Sequence, residues 1–350
     1  MAVYTTINDP SAHFQVATWS GNNSNQAITN DGNSNLQPDL VWIKARNETS
    51  DHALLDSTRG LTKRLHSNTN DQETNDSSAT MSSFDSDGFT MTQYNVANDS
   101  DDTGVAWQWK ANGGTTSSDS NGDQTSTVQA NTTAGFSIAT FSASNSAGQT
   151  VGHGLGSAPD MYIWKSRARD DNWYIYHRSS GAGGYYRLNT NDAFTSNTNV
   201  WSNTNPSSTL IYYGGNSLTN NNEDHVIYSF KSIQGFSKFG VFKGNGNANG
   251  PFIYTGFQPA WLMIKEENSG GGWGIWDNQR NPSNTMKIRV LANTDAADDT
   301  SNDNSVDFLS NGFKMRTTSG GFNQNNTNII YMAFAEHPLV TSDKVPTTAR

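Results

Sequence analysis

The sequence predicts an all-β chain made of three tandem copies of one antiparallel unit of about 100 residues, each a sandwich or a barrel. The first observation behind this is a set of three landmarks that recurs three times in one order. The second is periodicity: "QVATWS", "SIATFS" and "KFGVFK" alternate polar and apolar residues, as half-buried strands do. The third is punctuation. Turns such as "SDG", "SNG" and "NGN" separate runs rich in β-branched and aromatic residues, and no convincing amphipathic pattern reaches ten residues.

Each copy opens on an aromatic-led strand, at Phe14, Phe136 and Phe236. The second landmark is a Pro segment: "PDLVWIKARN" from Pro38, "PDMYIWKSRA" from Pro159 and "PAWLMIKEEN" from Pro259, with Lys44, Lys165 and Lys265 at one fixed place after the Pro. These segments are apolar on both strand faces, which predicts a central strand covered on both sides. The third landmark closes the copy: "VAWQWKA" from Val105, "VIYSFKS" from Val226 and "IYMAFAE" from Ile330. The intervals are nearly constant, from 14 to 38 to 105, from 136 to 159 to 226, and from 236 to 259 to 330. "FDSDGFTM" in the first copy returns as "FLSNGFKM" in the third, whereas the middle copy has only "SSTLIYYGG" there. Asp56–Arg59 and Asp277–Arg280 share D-x-x-R after an apolar strand. They are expected to be local ion pairs bracing a turn, each worth little.

The expected organisation is an N-terminal arm at 1–12, sandwich units at 13–111, 135–232 and 233–337, a linker at 112–134 and a C-terminal tail at 338–350. The linker's composition is that of a flexible spacer. The first unit is therefore expected to be freer than the other two, which meet at "KSIQGF" with almost no slack. Both tails are polar and Pro-bearing. Such ends fray unless tied down, so they are expected to lie on a partner or a neighbouring subunit.

Charge excludes some partners. The formal net charge is −10, with a sequence pI near 5.0, so no basic footprint for nucleic acid is expected and anionic membranes would repel the chain. No apolar window is long enough to span a bilayer. The sequence opens without a basic segment and apolar run, so no signal peptide is expected. With no Cys, disulfides, thiolate zinc sites and Cys nucleophiles are excluded.

No catalytic residues are expected. "GHGLGS" (Gly152 to Ser157) lacks the last Gly and the βαβ setting of a dinucleotide fingerprint, and reads as a hairpin loop. The seven His fall at no metal-ligand spacing. Glu266 and Glu267 read as a solvated strand end rather than half of a glycosidase pair. Asp99, Asp101 and Thr103 place oxygens like the front of a calcium loop, but the twelfth position is Lys110 rather than Glu. They are weak calcium candidates, and no metal or cofactor is expected. Trp42, Trp107, Trp109 and Trp164 lie on repeating strands and read as core. Trp173, Tyr185, Tyr186, Trp201 and Trp273 lie near Gly- or Asn-rich turns. They are the candidate residues for a glycan face or a protein partner, against the plainer reading of cross-strand packing.

"SNLQPDLVWIKARN", "HALLDSTRG", "SFDSDGFTM", "VAWQWKANGG" and the ending "VPTTAR" resemble a repeat module of virion structural proteins, of fibre or decoration type, from tailed bacteriophages, marine ones especially. The resemblance spans nearly the whole chain and is weakest in the middle copy. It implies concanavalin A-like jelly-roll sandwiches, a non-enzymatic role on the virion surface, a homo-oligomer, and other virion proteins as partners through the terminal tails. Host surface glycans are a further partner to expect. The alternatives are a lectin-type glycan-binding module and, behind it, a glycan-cleaving enzyme.

Overall fold

The computed structural model describes residues 4–75, 80–93, 97–214, 219, 221–268 and 270–347. Strands make up 42% of the chain and helices 4%, as the period-two patterning predicts.

The first repeat supplies β1 (Phe14–Ser20), β2 (Gln26–Ile28), β3 (Leu40–Ala45), β4 (Ala53–Asp56), β5 (Lys63–Arg64), β6 (Thr74–Asn75), β7 (Met81–Asp85), β8 (Gly88–Met91) and β9 (Thr103–Trp109). Next come β10 (Ser117–Asp119), β11 (Ser126–Asn131), β12 (Phe136–Ser142), β13 (Gln149–Gly152), β14 (Met161–Ser166), β15 (Tyr174–His177), β16 (Gly184–Arg187), β17 (Thr195–Ser196), β18 (Leu210–Tyr213) and β19 (Asp224–Phe230). The third repeat holds β20 (Ser237–Lys243), β21 (Phe252–Tyr254), β22 (Phe257–Glu266), β23 (Gly274–Asp277), β24 (Val290–Leu291), β25 (Val306–Leu309), β26 (Gly312–Met315) and β27 (Asn328–Pro338).

One strand order recurs. The large sheets run β1-β9-β3-β4, then β12-β19-β14-β15 within an eight-stranded sheet, then β20-β27-β22-β23. Each thus places the closing strand between the opening strand and the Pro strand, all antiparallel. Three smaller sheets, β2-β8-β7, β13-β18 and β21-β26-β25, accompany them. The middle copy pairs "SSTLIYYGG" as β18 with β13, in the place that the "SDGF" and "SNGF" hairpins fill in the others.

Alternation along the Pro strands explains their double-sided apolarity. Val41, Ile43 and Ala45 pack with Phe89 and Met91 of the first small sheet. Tyr162 and Trp164 pack with Ile211 and Tyr213, and Leu262 and Ile264 with Phe313 and Met315. The intervening Leu40, Trp42, Met161, Ile163, Trp261 and Met263 all enter one further core shared by the three repeats. At its centre Trp109, Phe230 and Phe334, equivalent positions on the three closing strands, form a triangle. Their ring centroids lie 5.7, 6.3 and 6.1 Å apart. Each packs on the aromatic that opens its own repeat, with Phe14–Trp109 at 5.1 Å, Phe136–Phe230 at 5.0 Å and Phe236–Phe334 at 5.7 Å. Such contacts are worth about 0.5–1.5 kcal/mol each beyond the area they bury.

The seams between repeats follow one template. Glu73 N donates to Arg167 O at 3.1 Å, Phe194 N to Glu267 O at 2.8 Å, and Asp298 N to Arg46 O at 2.7 Å. Trp173 Nε1 donates to His66 O at 2.8 Å and Trp273 Nε1 to Arg187 O at 2.7 Å, while His52 Nε2 lies 3.1 Å from Leu291 O. The first repeat therefore meets the second, the second meets the third, and the third meets the first.

Several sequence expectations are corrected. Residues 112–134 are not a loose spacer. They form β10 and β11, which extend the second large sheet from β12. Asp39 holds the entry to this segment by accepting from the backbone N–H groups of Ala111, Gly113 and Gly114 at 2.7–2.8 Å. Gln129 Nε2 donates to Ser57 and Thr58. With its landmarks inside the shared core, the first repeat is as firmly docked as the others. Apart from these corrections, both tails are anchored at their bases on the chain itself: Ile7 enters the shared core, and Asn8 and Ser342 exchange two hydrogen bonds. Residues 1–3 and 348–350 lie outside the described residues.

The D-x-x-R pairs do exist, at 2.5 Å in Asp56–Arg59 and 2.7 Å in Asp277–Arg280, but they are fully buried rather than surface braces. Each extends across a seam: Arg59 reaches Glu73, which pairs with Arg167, and Arg280 reaches Asp298, which pairs with Arg46. Glu266 and Glu267 are not a solvated end either. Glu266 is buried, and Glu267 accepts from Ser180, Tyr186 and Asn328. Glu267 stands where the other copies have Arg46 and Arg167, and Phe194 stands where they have Asp298 and Glu73, so among the described residues this position of the second seam holds no matching salt bridge.

Candidate functional site

Two kinds of place concentrate chemistry: the buried seams and one surface groove. In the seams, the three landmark lysines are buried and donate to backbone carbonyls. Lys44 Nζ reaches Ala45 O at 2.7 Å, Lys165 Nζ reaches Asp171 O at 2.9 Å and Asn70 O at 3.2 Å, and Lys265 Nζ reaches Gly271 O at 2.6 Å and Asn191 O at 3.2 Å. The last two thereby tie neighbouring repeats together. Loss of hydration lowers each ammonium to about 8, against the opposing pull of nearby carboxylates. His52 and His225 are buried and accept the indole N–H groups of Trp42 and Trp164 at 2.9 and 3.0 Å. Burial pushes both imidazoles down to about 3, so they stay neutral.

The groove lies on the third repeat, where the arm, the tail and the joint "KSIQGF" converge around a volume of about 480 Å³. Its shape follows from local rules. On β21, Ile253 points into the core, so period two turns Phe252 and Tyr254 outward, leaving them 46% and 54% exposed. Gly256, with φ of 86°, makes the turn into β22. Thr255 Oγ1 braces that turn by donating to Phe257 O at 2.7 Å. Tyr4, 49% exposed, adds a second tyrosine from the arm. Lys238 on β20 donates to Tyr254 O at 2.7 Å, with its Nζ 5.3 Å from the Tyr254 ring centroid. Gln234 and Ser232 supply polar lining. A second cleft, of about 330 Å³, lies between the first and third repeats, with Asp31, Glu336 and His337 among its lining residues.

The aromatics singled out from the sequence lie elsewhere. Trp173, Tyr185, Tyr186, Trp201 and Trp273 are all buried. Trp173, Trp273 and Tyr186 cross seams, Trp201 Nε1 donates to Gly184 O at 2.9 Å, and Tyr185 accepts from Arg187 at 2.9 Å. Their burial favours the plainer reading of cross-strand packing over an exposed glycan or partner face. Of the weak calcium candidates, Thr103 Oγ1 is engaged with Asn47 at 3.2 Å, and Asp99 belongs to a turn in which Asp102 accepts its backbone N–H. Among the described residues, no three His, Asp or Glu side chains gather as a metal cage. The exposed pair Phe252 and Tyr254 went unremarked in the sequence. The alternation in "PFIYTG" carries the signal, since a buried Ile253 forces both neighbours outward.

The fold is all-β and sandwich-like. Residues 9–338 match a family described as "Domain of unknown function (DUF7483)", and the chain belongs to that family. No curated protein matches the sequence.

Proposed function

We propose that the chain is a non-enzymatic structural protein on the surface of a tailed-phage virion, a fibre, spike or decoration component. In this reading it is built of three tandem concanavalin A-like jelly-roll modules, at 13–111, 135–232 and 233–337, and works as a homo-oligomer that meets other virion proteins through its arm and tail. The observation that carries this is where the polar chemistry goes. Asp56, Arg59, Glu73, Asp277, Arg280, Lys165 and Lys265 are consumed in seams that lock three sheets together. Groups spent this way make a rigid block. Mass spectrometry of purified particles from a phage encoding the chain tests the reading: stoichiometric amounts are expected, and particles that assemble without it sink the proposal.

A second reading, glycan binding, is favoured by one observation, the two half-exposed tyrosines facing a groove with amide and hydroxyl groups. The two readings are compatible, because attachment to a host surface is work a virion protein does. A glycan array probed with the purified chain separates them.

A further inference from the structure

The groove on the third repeat differs from the rest of the molecule in charge as well as shape. The chain carries 32 acidic against 22 basic side chains, yet among the described residues no carboxylate lines the groove and one ammonium does. That ammonium, Lys238, forms no salt bridge among the described residues. Its acceptor is the Tyr254 carbonyl, which leaves two of its three N–H donors for a ligand. Loss of hydration alone lowers its pKa, whereas the seam lysines each have carboxylates nearby. A cation without a counterion, beside two half-exposed tyrosine rings, sets out the chemistry of its ligand. The rings suit the C–H face of a sugar, and the ammonium suits an anionic substituent on it.

We propose that this groove binds an acidic saccharide, with the sugar ring against Tyr4 and Tyr254 and its carboxylate hydrogen-bonded to Lys238 Nζ. The inference rests on the glycan-binding reading and narrows it to uronate-type sugars.

Calorimetric titration of the full chain with trigalacturonate and with the neutral galactotriose of the same linkage tests it. Trigalacturonate is expected to bind about tenfold tighter, as one charge-assisted hydrogen bond allows, and its advantage is expected to shrink as salt rises. Lys238→Gln should bring the two affinities together, and Tyr254→Ala should weaken both about tenfold. Tyr254 is 54% exposed and Lys238 partly exposed, and the melting temperature of each variant is measured alongside to confirm that it folds. Equal affinity for the two sugars overturns the acidic assignment and leaves glycan binding standing. Binding of neither sugar overturns both. Undiminished trigalacturonate binding by Lys238→Gln, or equally tight binding of triglutamate, also overturns the proposal.

Discussion

Trp107 Nε1 lies 3.0 Å from Asp277 Oδ2, although the two residues are 170 positions apart in the chain. The bond closes the ring of repeats, because it joins the closing strand of the first to the D-x-x-R pair of the third. Arg280, on the same Asp277 carboxylate, also lies 5.5 Å from the Trp107 ring centroid. Tyr228 plays the matching part at the first seam, donating to Asp56 at 2.7 Å.

Breaking such a pair strands a buried charge. Arg280→Met is expected to destabilise the chain by about 3–5 kcal/mol, because it leaves the buried Asp277 carboxylate without its salt-bridge partner. The double variant Arg280→Met with Asp277→Leu should recover most of that loss. Urea denaturation measures both, and a single variant within about 0.5 kcal/mol of wild type would deny the pair its structural role.

Acid sensitivity follows from the buried imidazoles. His52 and His225 are held at about 3 and His177 at about 4, against an ordinary value of 6.5. Below pH 6.5 the unfolded chain takes up protons that the folded chain refuses, so stability falls as pH drops toward 4. Each His contributes about 1.4 kcal/mol per pH unit. Burial lowers His13, His66 and His153 as well, so melting temperature is expected to fall steeply below pH 6.5, and His52→Gln should make that slope shallower without abolishing it. A flat profile between pH 6.5 and 4.5 would contradict this.

The seam lysines act in the opposite range. Their folded values near 8 lie below the ordinary 10.5, so between about pH 8 and 10 the unfolded chain holds the extra protons and stability rises with pH. Above that, Tyr162 and Tyr228, whose hydroxyls burial keeps protonated, reverse the trend. Lys165→Met should flatten the rise and lower stability at pH 7, because the Asn70 and Asp171 carbonyls lose their donor. Chemical denaturation at pH 7, 8.5 and 9.5 reads both effects.

The segment 112–134 offers a sharper contrast. Its hairpin pairs with β12, so proteinase K is expected to leave it intact under native conditions. Asp39→Ala removes the acceptor of three backbone N–H groups and should cost at least about 2 kcal/mol while opening the segment to cleavage. Rapid cleavage of the wild type here would restore the flexible spacer.

Strand positions were legible where packing follows periodicity. Phe14, Phe136 and Phe236 announced the opening strands, and the double-sided apolarity of "LVWIKA" announced its two cores. What stayed hidden depended on partners distant in sequence. Nothing local marks Asp277 as the acceptor for Trp107, so its pair with Arg280 read as a surface brace. The polar run after Asn112 read as a spacer because Ser, Thr and Asn suit an edge hairpin as well as a loose chain. The groove was missed because aromatic residues near turns drew attention, whereas its exposed tyrosine lies on a three-residue strand facing away from Ile253.

The central claim is that the three repeats share one core and form one cooperative body. Differential scanning calorimetry of the full chain tests it directly. One transition is expected, with a van't Hoff enthalpy equal to the calorimetric enthalpy of roughly 250 kcal/mol near 60 °C. Two or three resolved transitions, each carrying its own fraction of that heat, would contradict it.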